Sequence, residues 1–159
     1  MNSDMSVKID EGYINIRVGA LIVRDDAFLM VCNDRDAYYY SVGGRIKFGE
    51  TAREAVVREV YEETGVRMEI DYLGFICENY FYGTVGDKTG RLVYEPGFYF
   101  YMKVPEDFEP VCRSATDDGI EERLEWLPFD TDRVVFPSFL PEELSHPVRE
   151  TKHMVTDER

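Results

Sequence analysis

The stretch GRIKFGETAREAVVREVYEETGV, residues 44–66, joins a glycine-rich turn to a predicted helix and decides how the rest of the chain is interpreted. Thr51 and Glu54 have the spacing of a capping box, in which each side chain binds a backbone N–H at the start of a helix. Gly65 is suited to the left-handed conformation that ends a helix. The pattern therefore predicts a helix over residues 52–64.

The acidic residues of this helix lie on an unexpected face. Four small or β-branched residues form one apolar arc that is expected to face the core: Ala52, Ala55, Val56 and Val60. Glu59 and Glu63 fall inside that arc, and Glu62 borders it. Carboxylates three or four positions apart repel by about 0.2–0.5 kcal/mol per pair, and the helix dipole disfavours anions near the C-terminal end by about 0.3–1 kcal/mol each. A bound cation would turn both penalties into binding energy.

Converging carboxylates of this kind are hard oxygen ligands, which favour Mg²⁺ or Mn²⁺ over softer metals. The alternative interpretation is a solvated, glutamate-rich surface helix. The position of Glu59 and Glu63 on the apolar arc favours the metal site, because solvated charges belong on the opposite arc.

The whole segment resembles the Nudix box, written G-x5-E-x7-R-E-U-x-E-E-x-G-U, where U is a bulky aliphatic residue. Every specified position is matched, by Gly44, Glu50, Arg58, Glu59, Val60, Glu62, Glu63, Gly65 and Val66. So many fixed positions within one short segment are a far more specific signal than a lone glycine-rich loop.

The resemblance implies an α/β fold, an α/β/α sandwich with a mixed β-sheet, and an enzyme that hydrolyses a diphosphate linkage with a divalent metal. Carried over position by position, Glu59, Glu62 and Glu63 would hold Mg²⁺, with Mn²⁺ as the alternative ion. The backbone carbonyl of Gly43 would be a further ligand. Such an ion neutralises charge on the phosphoryl oxygens.

The same resemblance implies roles for the remaining charged positions of the box. Arg58 would pair with Glu50 and orient Glu59, so these three residues are the expected catalytic set. An exposed ion pair of Arg58 with Glu54 or Glu62 is the simpler alternative. The general base would be Glu59 or, as in some relatives, an acid on a loop outside the box. The candidates there are Asp118, Glu121 and Glu122.

Three residues ahead of the helix are candidates for substrate binding. Arg35 and Arg45 carry charge suited to phosphate groups, or else only balance the acidic site. Tyr39 is included because similar proteins often have an aromatic residue about four positions before the glycine pair. Val42 stands where many relatives have proline, which leaves the path of this turn open.

Length and charge limit the class of protein and its partners. A chain of 159 residues suits one domain over residues 1–159, with residues 1–10 and about 146–159 as peripheral tails. A net charge of −14 argues against a nucleic-acid polymer or an anionic membrane as the main partner. A small-molecule diphosphate substrate is the expected partner, with a homodimer as an option.

The cysteines and the chain start predict a soluble, cytoplasmic protein. Cys32, Cys77 and Cys112 include no C-x-x-C pair, so free thiols are the simplest account, and neither disulfides nor a zinc site is supported. Neither a signal-peptide pattern nor an apolar run of membrane-spanning length is found.

Outside the box the pattern is mainly β. Strands are predicted at residues 13–23, 27–32, 38–42, 45–48, 66–82, 92–104 and 124–127. Gly74 is expected to mark a bulge within its strand. Pro141 suits the first turn of a short helix that runs to Leu144.

Three functions are compatible with these patterns, because a fold does not choose its substrate. The first is hydrolysis of a nucleoside diphosphate linked to another group, leaving a monophosphate as one product. The second is hydrolysis of a diphosphate without a nucleoside, such as a prenyl diphosphate. The third is a non-catalytic, ligand-sensing domain, against which the intact box argues because a sensor has no need for three metal-binding acids.

Overall fold

The computed structural model describes residues 2–112, 114–116 and 118–159. These residues form eleven strands and two α-helices. In chain order they are β1 (Ser6–Lys8), β2 (Gly12–Asn15), β3 (Arg17–Leu21), β4 (Val23–Arg24), β5 (Ala27–Asn33), β6 (Tyr39–Arg45), α1 (Ala52–Thr64), β7 (Glu69–Tyr82), β8 (Leu92–Lys103), β9 (Glu122–Pro128), β10 (Val135–Phe136), α2 (Leu140–Ser145) and β11 (Lys152–Asp157).

The strands build a mixed, branched sheet. At its centre β3 runs parallel to β8 and antiparallel to β6. On the far side of β8, β7 forms a long antiparallel hairpin with it, and β11 adds to β7 in parallel. On the other side β5 joins β6, and β9 pairs with β5. The mixed sheet expected from the resemblance is thus confirmed.

One helix covers each face of this sheet and completes the α/β/α sandwich. Successive strand residues point to opposite faces, so Val18 and Ala20 of β3 lie in the core under α1, whereas Leu21 lies in the core under α2. Each fully buried valine or leucine side chain contributes about 1.5–3 kcal/mol to folding. The sandwich is therefore held by two apolar cores, one on each side of the sheet.

Helix α1 has the predicted bounds and both predicted ends. The Thr51 hydroxyl accepts the Glu54 N–H at 3.2 Å, and the Glu54 carboxylate accepts the Thr51 N–H at 2.8 Å. Gly65 has φ 74°, and its N–H donates to the Tyr61 carbonyl at 2.9 Å. Local sequence alone is sufficient to set the limits of this helix.

We expect Thr51→Ala to destabilise the protein by about 1 kcal/mol, because it leaves a backbone N–H at the helix start without its acceptor. Urea denaturation followed by circular dichroism measures the effect. Thr51→Ser retains the hydroxyl and is the matched control. Equal midpoints for Thr51→Ala and the wild type would show that the cap contributes nothing.

The segment between β6 and α1 differs from the prediction. The strand expected at residues 45–48 is wrong: β6 runs through both glycines to Arg45, and Lys47 forms only an isolated bridge with Asp4. Gly43 has φ 147°, a conformation that glycine adopts readily and other residues rarely do. The strand therefore continues through the glycine pair, and no turn forms there.

Several smaller predictions can be compared with the structure. The strand register shifts between Leu73 and Phe75, which confirms the irregularity at Gly74. The short helix with proline in its first turn is also confirmed as α2. The segments predicted as tails carry the edge strands β1 and β11. In the described part of the chain, neither helix is long and apolar enough to span a bilayer.

Candidate active site

The acidic residues of α1 lie against the two glycines of β6. A Cβ atom on Gly44 would lie 2.6–2.7 Å from the carboxylate atoms of Glu59, so only glycine leaves room for that carboxylate. The Gly43 N–H donates to Oε2 of Glu63 at 3.3 Å. The glycine pair therefore brings the strand backbone close to two carboxylates.

Glu63 is the most deeply buried of these acids, with 7% of its surface exposed. Burial raises the pKa of its carboxyl well above the usual value, and the charges of Glu59 and Glu122 raise this pKa further. The Gly43 N–H and the charge of Arg17 oppose the rise only in part. A buried carboxylate with acidic neighbours is costly unless a cation joins it.

Glu59 is also in a desolvated environment. Burial raises the pKa of its carboxyl, while the hydrogen bond from Arg58 lowers it. The buried carboxylate of Glu63 and the largely buried carboxylate of Glu59 offer the hard, anionic oxygen atoms that Mg²⁺ and Mn²⁺ prefer. The donor chemistry of these two side chains thus fits a hard divalent cation.

Arg58 connects the loop before α1 to the buried acids. Its Nε and Nη2 atoms donate to the two oxygens of Glu50 at 2.6 and 2.9 Å, a bidentate pair that lowers the pKa of Glu50. Its Nη1 atom donates to Glu59 at 2.6 Å and to Glu62 at 3.2 Å. The guanidinium is therefore placed to orient Glu59, as the resemblance implies, and it also contacts Glu62.

Glu62 lies apart from the buried pair. Its side chain is 49% exposed and accepts the hydrogen bond from Arg58. Across residues 2–112, 114–116 and 118–159, no three His, Cys, Asp or Glu side chains are gathered closely enough to hold a metal ion as they stand. A ligand set of Glu59, Glu62 and Glu63 therefore requires Glu62 to move away from Arg58.

Glu122 of β9 is a further acid near this site. It is 8% exposed, accepts a hydrogen bond from the Tyr40 hydroxyl, and is close enough to raise the pKa of Glu63. Glu121 is exposed, and Asp118 is an exposed partner of Arg35. Of the three acids considered as alternative bases, Glu122 is the one that lies near Glu63.

Tyr40 donates a hydrogen bond to Glu122, and Asn33 in turn donates to Tyr40; neither residue is predicted from the sequence. The Asn33 amide oxygen accepts the N–H groups of Arg35 and Asp36 at 2.9 and 2.8 Å. Its amide nitrogen donates to the Tyr40 hydroxyl at 3.1 Å. Burial and the bond to Glu122 raise the pKa of Tyr40. The period-two pattern of β6, which puts Tyr40 and Gly44 on one face, is the signal that could have found this tyrosine.

The three predicted substrate-binding residues have other neighbours. Arg35 pairs with Asp36 and Asp118. The Tyr39 hydroxyl donates to Glu125 at 2.9 Å, and its ring packs in the core under α2, not under α1. Arg45 is 3.6 Å from Asp4, and its carbonyl accepts a hydrogen bond from Arg58. Their roles in substrate binding stay predictions.

A small pocket of about 60 Å³ is lined by Arg17 of β3 and by Tyr40, the residue that donates to Glu122. Tyr99 and Phe136 give it aromatic surfaces, and Asn79 and Thr156 give it polar ones. Arg17 is not predicted as a site residue from the sequence. Its position as the single cation within the apolar run of residues 13–23 is the pattern that could have indicated it.

Fold and site together define a class of protein: an α/β/α sandwich in which a helix presents buried glutamates, braced by an arginine, against a glycine pair. The NUDIX domain family matches residues 14–135. The chain therefore belongs to the Nudix family.

Known relatives share part of the sequence or the fold. A MutT-like protein of Streptomyces ambofaciens is 35% identical over 66 residues, which are 41% of this chain and 43% of that protein. The chain thus matches less than half the length of this curated relative.

The crystal structure of a mutator MutT protein from Bacillus halodurans has a TM-score of 0.63 and 22% identity, covering 87% of this chain and 89% of that one. An ADP-ribose pyrophosphatase from Streptococcus suis has a TM-score of 0.57 and 14% identity, covering 87% and 98%. Both structures share the fold.

Proposed function

We propose that this protein is a metal-dependent hydrolase that cleaves the diphosphate linkage of a nucleoside diphosphate joined to another group. The observation that carries the proposal is the pair of buried Glu63 and largely buried Glu59, which pack against the glycines of β6 in an environment that a cation would stabilise. Membership of the Nudix family supports the reaction class.

Mg²⁺, with Mn²⁺ as the alternative, is the proposed cofactor. Glu59 and Glu63 would hold it, together with Glu62 once that side chain leaves Arg58, and with the carbonyl of Gly43. When bound, the ion neutralises charge on the phosphoryl oxygens and stabilises the leaving phosphate.

The remaining site residues orient the metal-binding carboxylates and accept the proton of the attacking water. Arg58 is fixed by its bidentate pair with Glu50 and so restricts the rotamer of Glu59. We assign Glu122 as the general base that accepts a proton from the attacking water. Glu59 suits this task less well, because its carboxylate is proposed to hold the ion and already accepts a hydrogen bond from Arg58. Tyr40 is a positioning residue that holds Glu122.

We expect Tyr40→Phe to lower kcat by about 10-fold with KM little changed, because a positioned general base contributes about 10²–10⁴-fold and only part of that depends on the hydroxyl. Steady-state kinetics at saturating Mg²⁺ measures the effect. Tyr94→Phe removes another Tyr–Glu hydrogen bond, 2.6 Å to Glu78, and is the matched control. Equal kcat values for Tyr40→Phe and Tyr94→Phe would refute the role of Tyr40.

A substrate screen tests the function directly. The panel contains nucleoside diphosphate sugars, nucleoside triphosphates, dinucleoside polyphosphates, dinucleotide cofactors and a prenyl diphosphate. Each is incubated with Mg²⁺ or EDTA, and an added phosphatase releases phosphate from any monophosphate product. We expect turnover of a nucleoside diphosphate derivative with Mg²⁺ alone. Tight binding of one compound without turnover would indicate a ligand sensor instead.

A further inference from the structure

Strand β11 forms one edge of the sheet. It pairs in parallel with β7 over its whole length, from Lys152 to Asp157, and among the described residues it pairs with no other strand. An edge strand presents a row of backbone N–H and C=O groups that are ready to pair with another chain. The outer side of β11 is therefore a surface to which a further strand can add.

The pairing with β7 determines which backbone groups of β11 point outward. The Glu158 N–H, just beyond the strand, donates to the Tyr80 carbonyl of β7 at 2.8 Å and so points inward. Along a strand, successive residues direct their N–H and C=O groups to opposite sides. The outward groups of β11 therefore belong to His153, Val155 and Asp157. Within the described part of the chain, none of these outward groups has a hydrogen-bond partner.

The side chains of β11 are self-complementary about Val155. Lys152 and His153 precede this valine, and Asp157 and Glu158 follow it at the matching distances. When two copies of the strand meet antiparallel with Val155 opposite Val155, His153 lies opposite Asp157 of the other copy. In the same arrangement Lys152 lies opposite Glu158 of the other copy. Opposite charges directly across two antiparallel strands are stabilising, and like charges are destabilising.

Backbone and side chains select the same register. A shift by one residue would set outward groups of one copy opposite inward groups of the other, so the ladder could not form. A shift by two residues sets His153 opposite Val155 or Arg159 of the other copy. Its pairing with Asp157 is lost in either case. Val155, which is 65% exposed in the single chain, packs against its own copy in the unshifted register.

We propose that two copies of this chain form a dimer through antiparallel pairing of their β11 strands, with Val155 on the twofold axis. The two sheets then become one continuous sheet. Each pair of outward residues exchanges both of its N–H···O bonds, as in any antiparallel ladder. The arrangement is an isologous twofold contact, the commonest symmetry of homo-oligomers. It is independent of the reaction, so failure of the proposed function would leave it standing.

Sedimentation equilibrium over a series of protein concentrations tests the dimer. Each chain carries a net charge of −14, so the buffer contains about 0.15 M salt to screen the repulsion between copies. We expect the wild type to shift from the mass of one chain to that of two as concentration rises.

Val155→Pro removes an outward N–H from each copy and leaves the bonds to β7 in place, since an edge strand tolerates proline where its nitrogen faces outward. We expect it to raise the dissociation constant of the dimer by about 10-fold or more. Val155→Thr keeps both the N–H and the branched side chain, so it is the matched control and should change this constant by less than about 3-fold. Circular dichroism checks that both variants are folded.

A single introduced cysteine tests the register, and it keeps the test decisive if Val155→Pro does not fold. On the twofold axis the two copies of residue 155 have Cα atoms about 5.5 Å apart, within the range of about 4.4–6.8 Å for a disulfide. Val155→Cys should therefore form a disulfide-linked dimer in oxidised glutathione. In His153→Cys the two thiols are offset by about 13 Å along the strands and should stay unlinked. The wild type measures the background from Cys32, Cys77 and Cys112.

Three results would overturn the proposal. The first is a wild type that stays monomeric at its highest soluble concentration. The second is a folded Val155→Pro that dimerises as tightly as Val155→Thr, which would place the contact on another surface. The third is equal cross-linking of Val155→Cys and His153→Cys, which would exclude the register about Val155.

Discussion

Replacing Glu63 by glutamine is expected to lower metal-dependent hydrolysis by about 100-fold or more, because the transition state loses the charge stabilisation that the ion supplies. Glu59→Gln should have a similar effect, since Glu59 and Glu63 are the two carboxylates that pack against the glycine pair. The fold should persist, because glutamine is nearly isosteric with glutamate. Steady-state kinetics with Mg²⁺ measures the loss.

The same variants should not destabilise the metal-free protein. Glu63 is buried next to the charges of Glu59 and Glu122, so its replacement by a neutral amide removes repulsion. We expect the Tm of Glu63→Gln in EDTA to equal or exceed that of the wild type. Glu69→Gln removes an exposed partner of Lys103 and is the matched control for both assays. Turnover close to that of the control in both Glu59→Gln and Glu63→Gln would refute the assignment.

Replacing each of the two glycines of β6 by alanine is expected to have a different effect: Gly44→Ala should mainly lower activity, and Gly43→Ala should mainly lower stability. In Gly44→Ala the new Cβ meets the end of the Glu59 side chain, which can move aside. The fold should survive while the carboxylate is displaced, and a misplacement of about 1 Å in an active site can cost about 10²-fold in rate. We expect Gly44→Ala to lose about 10- to 100-fold in kcat at nearly wild-type stability.

In Gly43→Ala the new Cβ meets backbone instead. It would lie 2.1 Å from the carbonyl oxygen of Val18, and the residue has φ 147°. Such strain costs about 1–3 kcal/mol or more, so this variant should show a clear drop in stability. Urea denaturation and kinetics on both proteins separate the two effects. Equal stability losses at both positions, or unchanged kcat in Gly44→Ala, would contradict this account of the glycine pair.

The helix and its buried acids could be predicted because their signals are local. The capping box, the closing glycine and the apolar arc lie within residues 51–65, and burial of Glu63 follows from the arc. The exposure of Glu62 could not be predicted from the apolar arc. It borders the arc, and only the position of the Arg58 guanidinium decides which way its side chain turns.

The other parts of the site depend on contacts between distant segments. Glu122 lies at the buried acids because β9 pairs with β5 in a register that sets Glu122 opposite Asn33. Arg17 meets the pocket through the parallel pairing of β3 with β8. No local pattern specifies either register. The sequence predicts a turn at the glycine pair, whereas its pairing with Val18 and Gly19 of β3 shows that it continues a strand.

The most direct test of the central claim is a titration of the protein with Mn²⁺, with free ion followed by electron paramagnetic resonance. The account predicts saturable Mn²⁺ binding by the wild type, competition by Mg²⁺, and at least 10-fold weaker binding by both Glu59→Gln and Glu63→Gln, with Glu69→Gln unchanged. Equal Mn²⁺ affinity in all four proteins, or substrate hydrolysis that continues undiminished in EDTA, would contradict it.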